Sequence, residues 1–196
     1  NAINKYLELI KKDKLKMRFV KVQQKNFLEN VISDADYKFL KARLKRDGYI
    51  SWYFVVWFLT ATGARVSELL QIKAEHVQQG YLDIYSKGGK LRRLYIPKAL
   101  KTEALKWLKE KGLTSGYLFL NRFGERITAR GIAQQLKLFA AKYGINTAVV
   151  YPHSFRHRFA KNFLDRFNDL ALLADLMGHE SIETTRIYLR RTATEQ

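Results

Sequence analysis

The chain has 196 residues and a formal net charge of +18, because 36 Lys and Arg residues stand against 18 Asp and Glu residues. This length is typical of one domain, with room for a fragment of a second. Hydrophobic residues make up 47% of the chain, which excludes a disordered basic tail, and the absence of cysteine excludes disulfide frameworks and Cys-ligated zinc or iron–sulfur sites. The absence of cysteine also allows a reducing compartment, and a cytoplasmic location is expected. The positive charge favours nucleic acid or an anionic membrane surface as the partner.

The chain begins with a short helical pattern that leads into a basic segment. Apolar residues recur at helical spacing over Ile3–Ile10, and Lys11–Lys25 is basic and weakly periodic. Since Asn1 is not a methionine and no apolar leader follows it, we expect an excised fragment without a secretory signal. The sequence thus predicts the end of a truncated upstream domain and a linker over residues 1–24, and a main domain over residues 25–196.

Two helices are predicted at the start of the main domain. Ser33 or Asp34 is suited to cap a helix that runs to about Arg46. The uncharged stretch Tyr49–Ala61 is too short to span the roughly 30 Å of a bilayer's hydrocarbon core. It predicts a buried helix over Ile50–Thr60.

The rest of the domain is predicted to be mostly helical with a small sheet. Gly63 interrupts the helical pattern, which resumes over Ala64–Ile72 and places Arg65 near a helix N-terminus. Alternating apolar residues on both sides of the glycine turn Ser86–Lys90 predict a β-hairpin. Further helices are predicted at 98–111, 128–143, 153–167, 169–177 and 181–190, with a short strand at Tyr117–Leu120.

Several short motifs of polar residues follow one another along this pattern. They are TGARVSELL at 62–70, YSKGGKLRRLYIP at 85–97, HSFRH at 153–157, GHES at 178–181 and TTRIYL at 184–189. In this order they resemble the tyrosine recombinase family, also called the phage integrase family, from about Phe27 to Leu189. The resemblance implies the catalytic-domain fold of that family, mainly α with a small antiparallel β-sheet. It also implies that residues 1–24 end an upstream core-binding domain.

The resemblance implies a set of six catalytic residues: Arg65, Lys87, His153, Arg156, His179 and Tyr188. Tyr188 would attack a DNA phosphodiester to give a 3′-phosphotyrosine and a free 5′-hydroxyl. Arg65 and Arg156 would bind the non-bridging oxygens, because planar guanidiniums supply paired and permanently charged donors to the charge that develops there.

Proton transfers are assigned to the remaining members of the set. A phenol with a pKa near 10 is a poor nucleophile at neutral pH, so His153 is expected to assist its deprotonation. Lys87, at the start of the glycine turn, would protonate the departing 5′-oxygen. Lys90, three residues further on, is the rival for this role. His179, after a helix-stopping glycine, would donate a hydrogen bond to the same phosphate.

Neighbouring residues have plainer interpretations. Glu68 is expected to orient Arg65, and His157 and His76 are expected to be supporting or core residues. His153 and His157 have the spacing of a metal site, yet the glutamate that zinc hydrolases carry between such histidines is absent. The SKGGK turn likewise lacks the spacing of a phosphate-binding loop.

The resemblance implies a site-specific DNA recombinase that acts in the integration or excision of phage or mobile-element DNA. The resemblance also implies double-stranded DNA sites as partners, with four protomers assembled on paired sites, and it implies no metal, other cofactor or membrane. A DNA-relaxing enzyme like the type IB topoisomerases and a non-catalytic DNA-binding protein of the same fold are the alternatives. A membrane-binding module is disfavoured because no exposed helix has a clean apolar face.

Overall fold

The computed structural model describes residues 2–11, 15, 30–85, 91–179 and 181–189. Within them the chain forms α1 (Ala2–Leu9), α2 (Asp34–Arg46), α3 (Ile50–Thr62), α4 (Val66–Leu69), α5 (Ala74–Gln79), β1 (Tyr81–Tyr85), β2 (Leu91–Tyr95), α6 (Lys98–Glu110), α7 (Ala129–Lys142), α8 (Pro152–Phe167), α9 (Leu170–Met177) and α10 (Ile182–Arg186), and ends in a 3₁₀ turn at Ile187–Leu189. The predicted fold class, mainly α with a small antiparallel sheet, is confirmed. No helix in the described ranges has both the length and the apolar character needed to cross a membrane.

Local signals fix the first two helices of the main domain. The Ser33 hydroxyl caps α2 by accepting a hydrogen bond from the backbone N–H of Asp36 at 3.0 Å. Helix α3 is apolar on most sides and lies in the core, and it ends at Gly63 with φ of +63°. A Cβ atom at Gly63 would lie 2.4 Å from the ring of Phe159, so both the backbone conformation and the packing of α8 require glycine there.

Strands β1 and β2 pair antiparallel as predicted, with Tyr81 opposite Tyr95 and Tyr85 opposite Leu91. The inner face of the hairpin carries Leu82, Ile84 and Leu94, together with the buried Arg92. The turn between the strands, with Lys87 and Lys90, lies outside the described residues. Most of the core is formed by residues between α2 and the start of α8. A smaller apolar cluster joins α8 to α9, and Tyr188 packs against it.

Two predicted elements differ most from the structure, and the helix expected over 181–190 is α-helical only over Ile182–Arg186, before the 3₁₀ turn. The helix expected over Ala64–Ile72 is one turn, Val66–Leu69, because Arg65 is extended and the backbone carbonyl of Ile72 accepts a hydrogen bond from Leu118 instead of continuing a helix. The strand expected at Tyr117–Leu120 forms only isolated bridges, to Lys73 and Arg126. The backbone at Ile72 and Lys73 pairs with the backbone at Tyr117 and Leu118. Neither segment forms a regular helix or strand there.

Candidate active site

Arg156 on helix α8 reaches the end of α9. Arg156 is buried, with 3% of its surface exposed, and its two terminal nitrogens donate to the carbonyl oxygens of Gly63 and Met177. The second of these bonds measures 2.6 Å. Arg156 thus ties α8 both to the end of α3 and to the end of α9, which explains why this guanidinium has one orientation.

Arg65 lies at the N-cap of α4 and points toward the same place. Its backbone N–H and Nη1 donate to the two carboxylate oxygens of Glu68 at 2.7 and 2.9 Å, and its Nη2 donates to the carbonyl oxygen of Gly178 at 3.2 Å. The Arg65 side chain is 38% exposed, while that of Glu68 is 6% exposed. Arg65 therefore keeps an open side where a solvent anion has access.

His179 follows α9 directly and is held between two partners. Its Nε2 lies 3.3 Å from Nη2 of Arg156, and its Nδ1 lies 2.8 Å from the hydroxyl of Thr185 on α10. Burial, and after it the positive charges of Arg156, Arg65 and Arg92, lower the pKa of His179 to about 4. The imidazole is therefore neutral at pH 7. A guanidinium only donates, so this pairing assigns the ring proton to Nδ1 and leaves Nε2 as an acceptor.

Tyr188 is positioned by the 3₁₀ turn and by α8. Its hydroxyl lies 2.8 Å from Nδ1 of His157, and the two rings are 5.6 Å apart. Burial raises the pKa of Tyr188 to about 12, although Arg156 and Arg65 oppose the shift. Burial and then the neighbours His153 and Arg156 lower the pKa of His157 to about 4. At neutral pH a protonated phenol thus donates to a neutral imidazole.

His153, the residue expected to assist Tyr188, lies one helical turn before His157. Its ring is exposed and 6.3 Å from the His157 ring. Burial, Arg156 and Arg65 lower the pKa of His153. The contact with the Tyr188 hydroxyl is made by His157, which the sequence analysis kept as a supporting residue. The i, i+4 spacing in HSFRH was the available signal, because it places both histidines on one face of a helix.

Glu68 and Arg92 form the buried part of the site. Arg92, 8% exposed, donates from Nη2 to Glu68 at 2.5 Å, and Nη1 of Arg156 lies 3.9 Å from the same carboxylate oxygen. Sequence reasoning gave Glu68 a structural role but overlooked Arg92. The signal was its position in β2, where strand alternation directs it inward and a buried charge requires a partner.

The three guanidiniums and one carboxylate leave an excess of positive charge in the site. A cleft of about 780 Å³ opens between β2 and α9, and Arg65, Arg92 and His179 line one part of it. In the described part of the chain, no three His, Asp, Glu or Cys side chains are grouped so that they could hold a metal ion. The arrangement suits a phosphate-sized anion bound by guanidinium groups.

Of the six predicted residues, the structure brings Arg65, His153, Arg156, His179 and Tyr188 to one region around α8 and the end of α9. Lys87 and its rival Lys90 lie outside the described residues. The family resemblance implied that these residues share one site, and their roles in the chemistry remain predictions.

Comparison with known proteins gives one consistent result. The model of the phage integrase family matches residues 29–195. The chain is 38% identical to the tyrosine recombinase XerA of Pyrococcus furiosus over 145 residues, which cover 71% of this chain and 50% of XerA. It is 35% identical to the tyrosine recombinase XerD of Listeria innocua over 143 residues, which cover 68% of this chain and 48% of XerD. The chain thus spans about half the length of these relatives.

Solved structures of similar fold are also described as recombinases. A crystal structure of XerA recombinase superposes with a TM-score of 0.71 at 23% identity, covering 98% of this chain and 69% of that one. A crystal structure of the site-specific recombinase XerH bound to its palindromic difH substrate, after cleavage, has a TM-score of 0.67 at 25% identity. It covers 83% of this chain and 50% of that one.

Proposed function

Because this chain belongs to the phage integrase family, the family of tyrosine recombinases, we propose that it is the catalytic domain of a site-specific DNA recombinase. In this proposal it cleaves and rejoins DNA through a 3′-phosphotyrosine on Tyr188. The observation that carries the proposal is the pair of guanidiniums, Arg65 and Arg156, fixed on consecutive carbonyls at the end of α9 beside His179. The Tyr188 hydroxyl belongs to the same region, because its partner His157 adjoins Arg156 on α8.

The two arginines would bind the scissile phosphate. Attack on phosphorus adds negative charge to the non-bridging oxygens, and preorganised donors stabilise that charge without reorganisation. Arg65, half-exposed at the cleft, is the first point of contact. The phosphate would also compete for the Arg156 nitrogen that now faces His179, and its negative charge would favour a protonated Nε2 on His179. His179 would then donate to the phosphate as predicted.

Tyr188 would lose its proton during the attack and not before it. With pKa values of about 12 for Tyr188 and about 4 for His157, transfer to His157 in the absence of DNA is strongly unfavourable. As the bond from the Tyr188 oxygen to phosphorus forms, the phenol proton becomes acidic and can pass to a neighbouring imidazole. His153 keeps its predicted role as the assisting base, and the 2.8 Å contact makes His157 a second acceptor.

Lys87 would give a proton to the 5′-oxygen as the old phosphorus–oxygen bond breaks. The observation that supports this role is the position of the hairpin, because residues of its strand β2, including Arg92, line the cleft. The reverse reaction reseals the strand, because the phosphotyrosine ester retains the bond energy. No nucleotide, metal or other cofactor is needed in this scheme.

The partner would be double-stranded DNA, and the similar XerH structure is a complex with its palindromic difH substrate. We further propose that residues 25–196 form the catalytic domain and that residues 1–24 are the end of an upstream core-binding domain. Four protomers on paired sites would exchange strands in the integration or excision of phage or mobile-element DNA. The charge of +18 supports the binding of a polyanion.

Covalent capture tests this function and requires no defined target sequence. The chain is incubated with a pool of nicked duplexes of random sequence, so that the fragment released by cleavage at the nick diffuses away. Adducts that survive SDS are then collected. We expect an adduct that retains a label at the 5′ end of the cleaved strand and loses a label at its 3′ end. Absence of an adduct, or an equal yield from Tyr188→Phe, would refute the proposal.

A further inference from the structure

Three arginines from three different elements converge on the C-terminal end of α9. The consecutive carbonyls of residues 176–178 accept hydrogen bonds from Arg92 at 2.7 Å, Arg156 at 2.6 Å and Arg65 at 3.2 Å, in that order. The last carbonyls of a helix lack intrahelical partners and carry a partial negative charge. The end of α9 therefore acts as a shared anchor for all three guanidiniums.

Arg92 differs from the other two in its partners, because its two terminal nitrogens join the end of α9 to the carboxylate that holds Arg65. Nη1 donates to the carbonyl at position 176, and Nη2 donates to Glu68 at 2.5 Å. Its side chain is 8% exposed, against 38% for Arg65. The hydrogen bonds of Arg92 are thus directed to Glu68 and to the end of α9, which both hold Arg65.

Through Glu68, Arg92 acts on Arg65. The carboxylate oxygen that Arg92 contacts also accepts the backbone N–H of Arg65, and the second oxygen accepts from Nη1 of Arg65. On the basis of the function proposed above, we propose that Arg92 is a positioning residue for strand cleavage: it fixes Glu68 and the end of α9 so that Arg65 and Arg156 meet the scissile phosphate in one geometry.

The backbone before His179 gives independent support. Gly178 has φ of +62°, and a Cβ atom there would lie 2.5 Å from Cδ of Arg92. Arg92 therefore packs directly against the turn that orients the His179 ring. Loss of the Arg92 side chain would leave this turn without its support, and the displacement would reach His179 as well as Arg65.

Arg92→Met and Arg92→Lys test the proposal in single-turnover cleavage, with a nicked duplex recovered from the random pool as the substrate. Methionine keeps much of the side-chain volume, and lysine keeps the charge but cannot bridge Glu68 and the carbonyl at position 176 together. We expect both to lower the cleavage rate on the order of 10²-fold, since a misplacement of about 1 Å at reacting groups has that effect. DNA affinity should change less than threefold, because the proposal assigns the phosphate contacts to Arg65 and Arg156 and not to Arg92.

Arg93→Met is the matched control, because Arg93 is the next residue in β2, is exposed and pairs with Asp83 at 2.7 Å. It should cleave within about threefold of the wild type. Should Arg92→Met not fold, Arg92→Lys carries the test, because it leaves a positive charge beside Glu68. Wild-type rates in both Arg92 variants, or equal losses in Arg92→Lys and Arg93→Met, would overturn the proposal.

A double variant separates positioning from simple loss of stability. If Arg92 acts through Glu68, the effects of Arg92→Met and Glu68→Gln on cleavage should not add, and the double variant should be no slower than the slower single variant. Multiplied losses in the double variant would contradict the proposal, whatever the unfolding midpoints of the variants.

The His179 imidazole provides a readout that does not depend on cleavage. Since the charge of Arg92 contributes to lowering the pKa of His179, NMR titration should show this pKa rise in Arg92→Met and stay unchanged in Arg93→Met. An unchanged pKa in both variants would contradict the proposal. Failure of the wild type to form any adduct would instead refute the proposed function, so the two failures are distinguishable.

Discussion

Replacing Arg65 with lysine should stop most cleavage while leaving the fold nearly intact. A lysine ammonium is a point charge and cannot present the two parallel donors of a guanidinium to a phosphate. Loss of one preorganised donor to a developing oxyanion costs roughly 2.7–4 kcal/mol, which is about 10²–10³ in rate. The Arg65 side chain is 38% exposed, so its ion pair with Glu68 contributes only about 0.2–1 kcal/mol to the free energy of unfolding.

Arg156→Lys should lower both the cleavage rate and the free energy of unfolding. Arg156 is 3% exposed and donates to the carbonyls of Gly63 and Met177. Lysine can reach one of these acceptors, and the lost charged hydrogen bond is worth about 1.5–3 kcal/mol. That is a large part of the roughly 5–15 kcal/mol that stabilises a typical domain. The two variants should thus share a cleavage defect and differ in stability.

Two assays on the same samples measure these effects. Denaturant unfolding gives the free energy of unfolding, and single-turnover cleavage of a pool-selected nicked duplex gives the rate at saturating protein. Near-native cleavage by Arg65→Lys would refute the role of the Arg65 guanidinium as a paired donor to the phosphate. Equal free energies of unfolding for Arg65→Lys and Arg156→Lys would contradict the expectation that the buried Arg156 stabilises the fold more than Arg65 does.

Four further predictions concern protons, metals and salt. A substrate whose bridging 5′-oxygen is replaced by sulfur needs no proton on its leaving group, so it should restore cleavage to Lys87→Ala and not to Arg156→Ala; restoration of Lys90→Ala alone would move the role to Lys90. Because burial lowers the pKa of His157 from 6.5 to about 4, the unfolded chain takes up protons first as the pH falls. Thermal stability should therefore decline between about pH 6.5 and pH 4, and less steeply in His157→Gln; an unchanged slope in that variant would contradict the assignment. Cleavage should continue in excess EDTA, and loss of activity that Mg²⁺ restores would contradict the guanidinium clamp. If about six phosphates are neutralised, affinity for a target duplex and for a scrambled one should fall on the order of 10³-fold between about 50 and 200 mM salt. Sequence-selective nanomolar binding at physiological salt would contradict binding through phosphates alone.

Much of the fold was predictable because its signals are local. The Ser33 cap, the apolar α3 with its terminal Gly63, and the alternation on both sides of the glycine turn each lie within a few residues of the element they define. The family resemblance that the motifs carry also implied that Arg65, Arg156 and His179 would lie together.

The remaining features depend on contacts between distant segments. Tyr117–Leu120 has the composition of a strand, but its neighbours in space are Lys73 and Arg126, which provide no strand to pair with. The bond between His157 and Tyr188 depends on where the 3₁₀ turn meets α8, which no spacing reveals. Arg92 reaches Glu68 across 24 positions of the sequence, and only the folded chain brings them together.

The identity of the nucleophile is the central claim, and peptide mapping of the DNA-linked protein tests it most directly. The adduct from the wild-type chain is digested with protease and nuclease, and mass spectrometry locates the residue that carries the nucleotide. We expect a nucleotide joined through its 3′-phosphate to Tyr188, and no adduct from a folded, DNA-binding Tyr188→Phe variant. A nucleotide on Tyr151, Tyr143 or any other side chain would contradict the account.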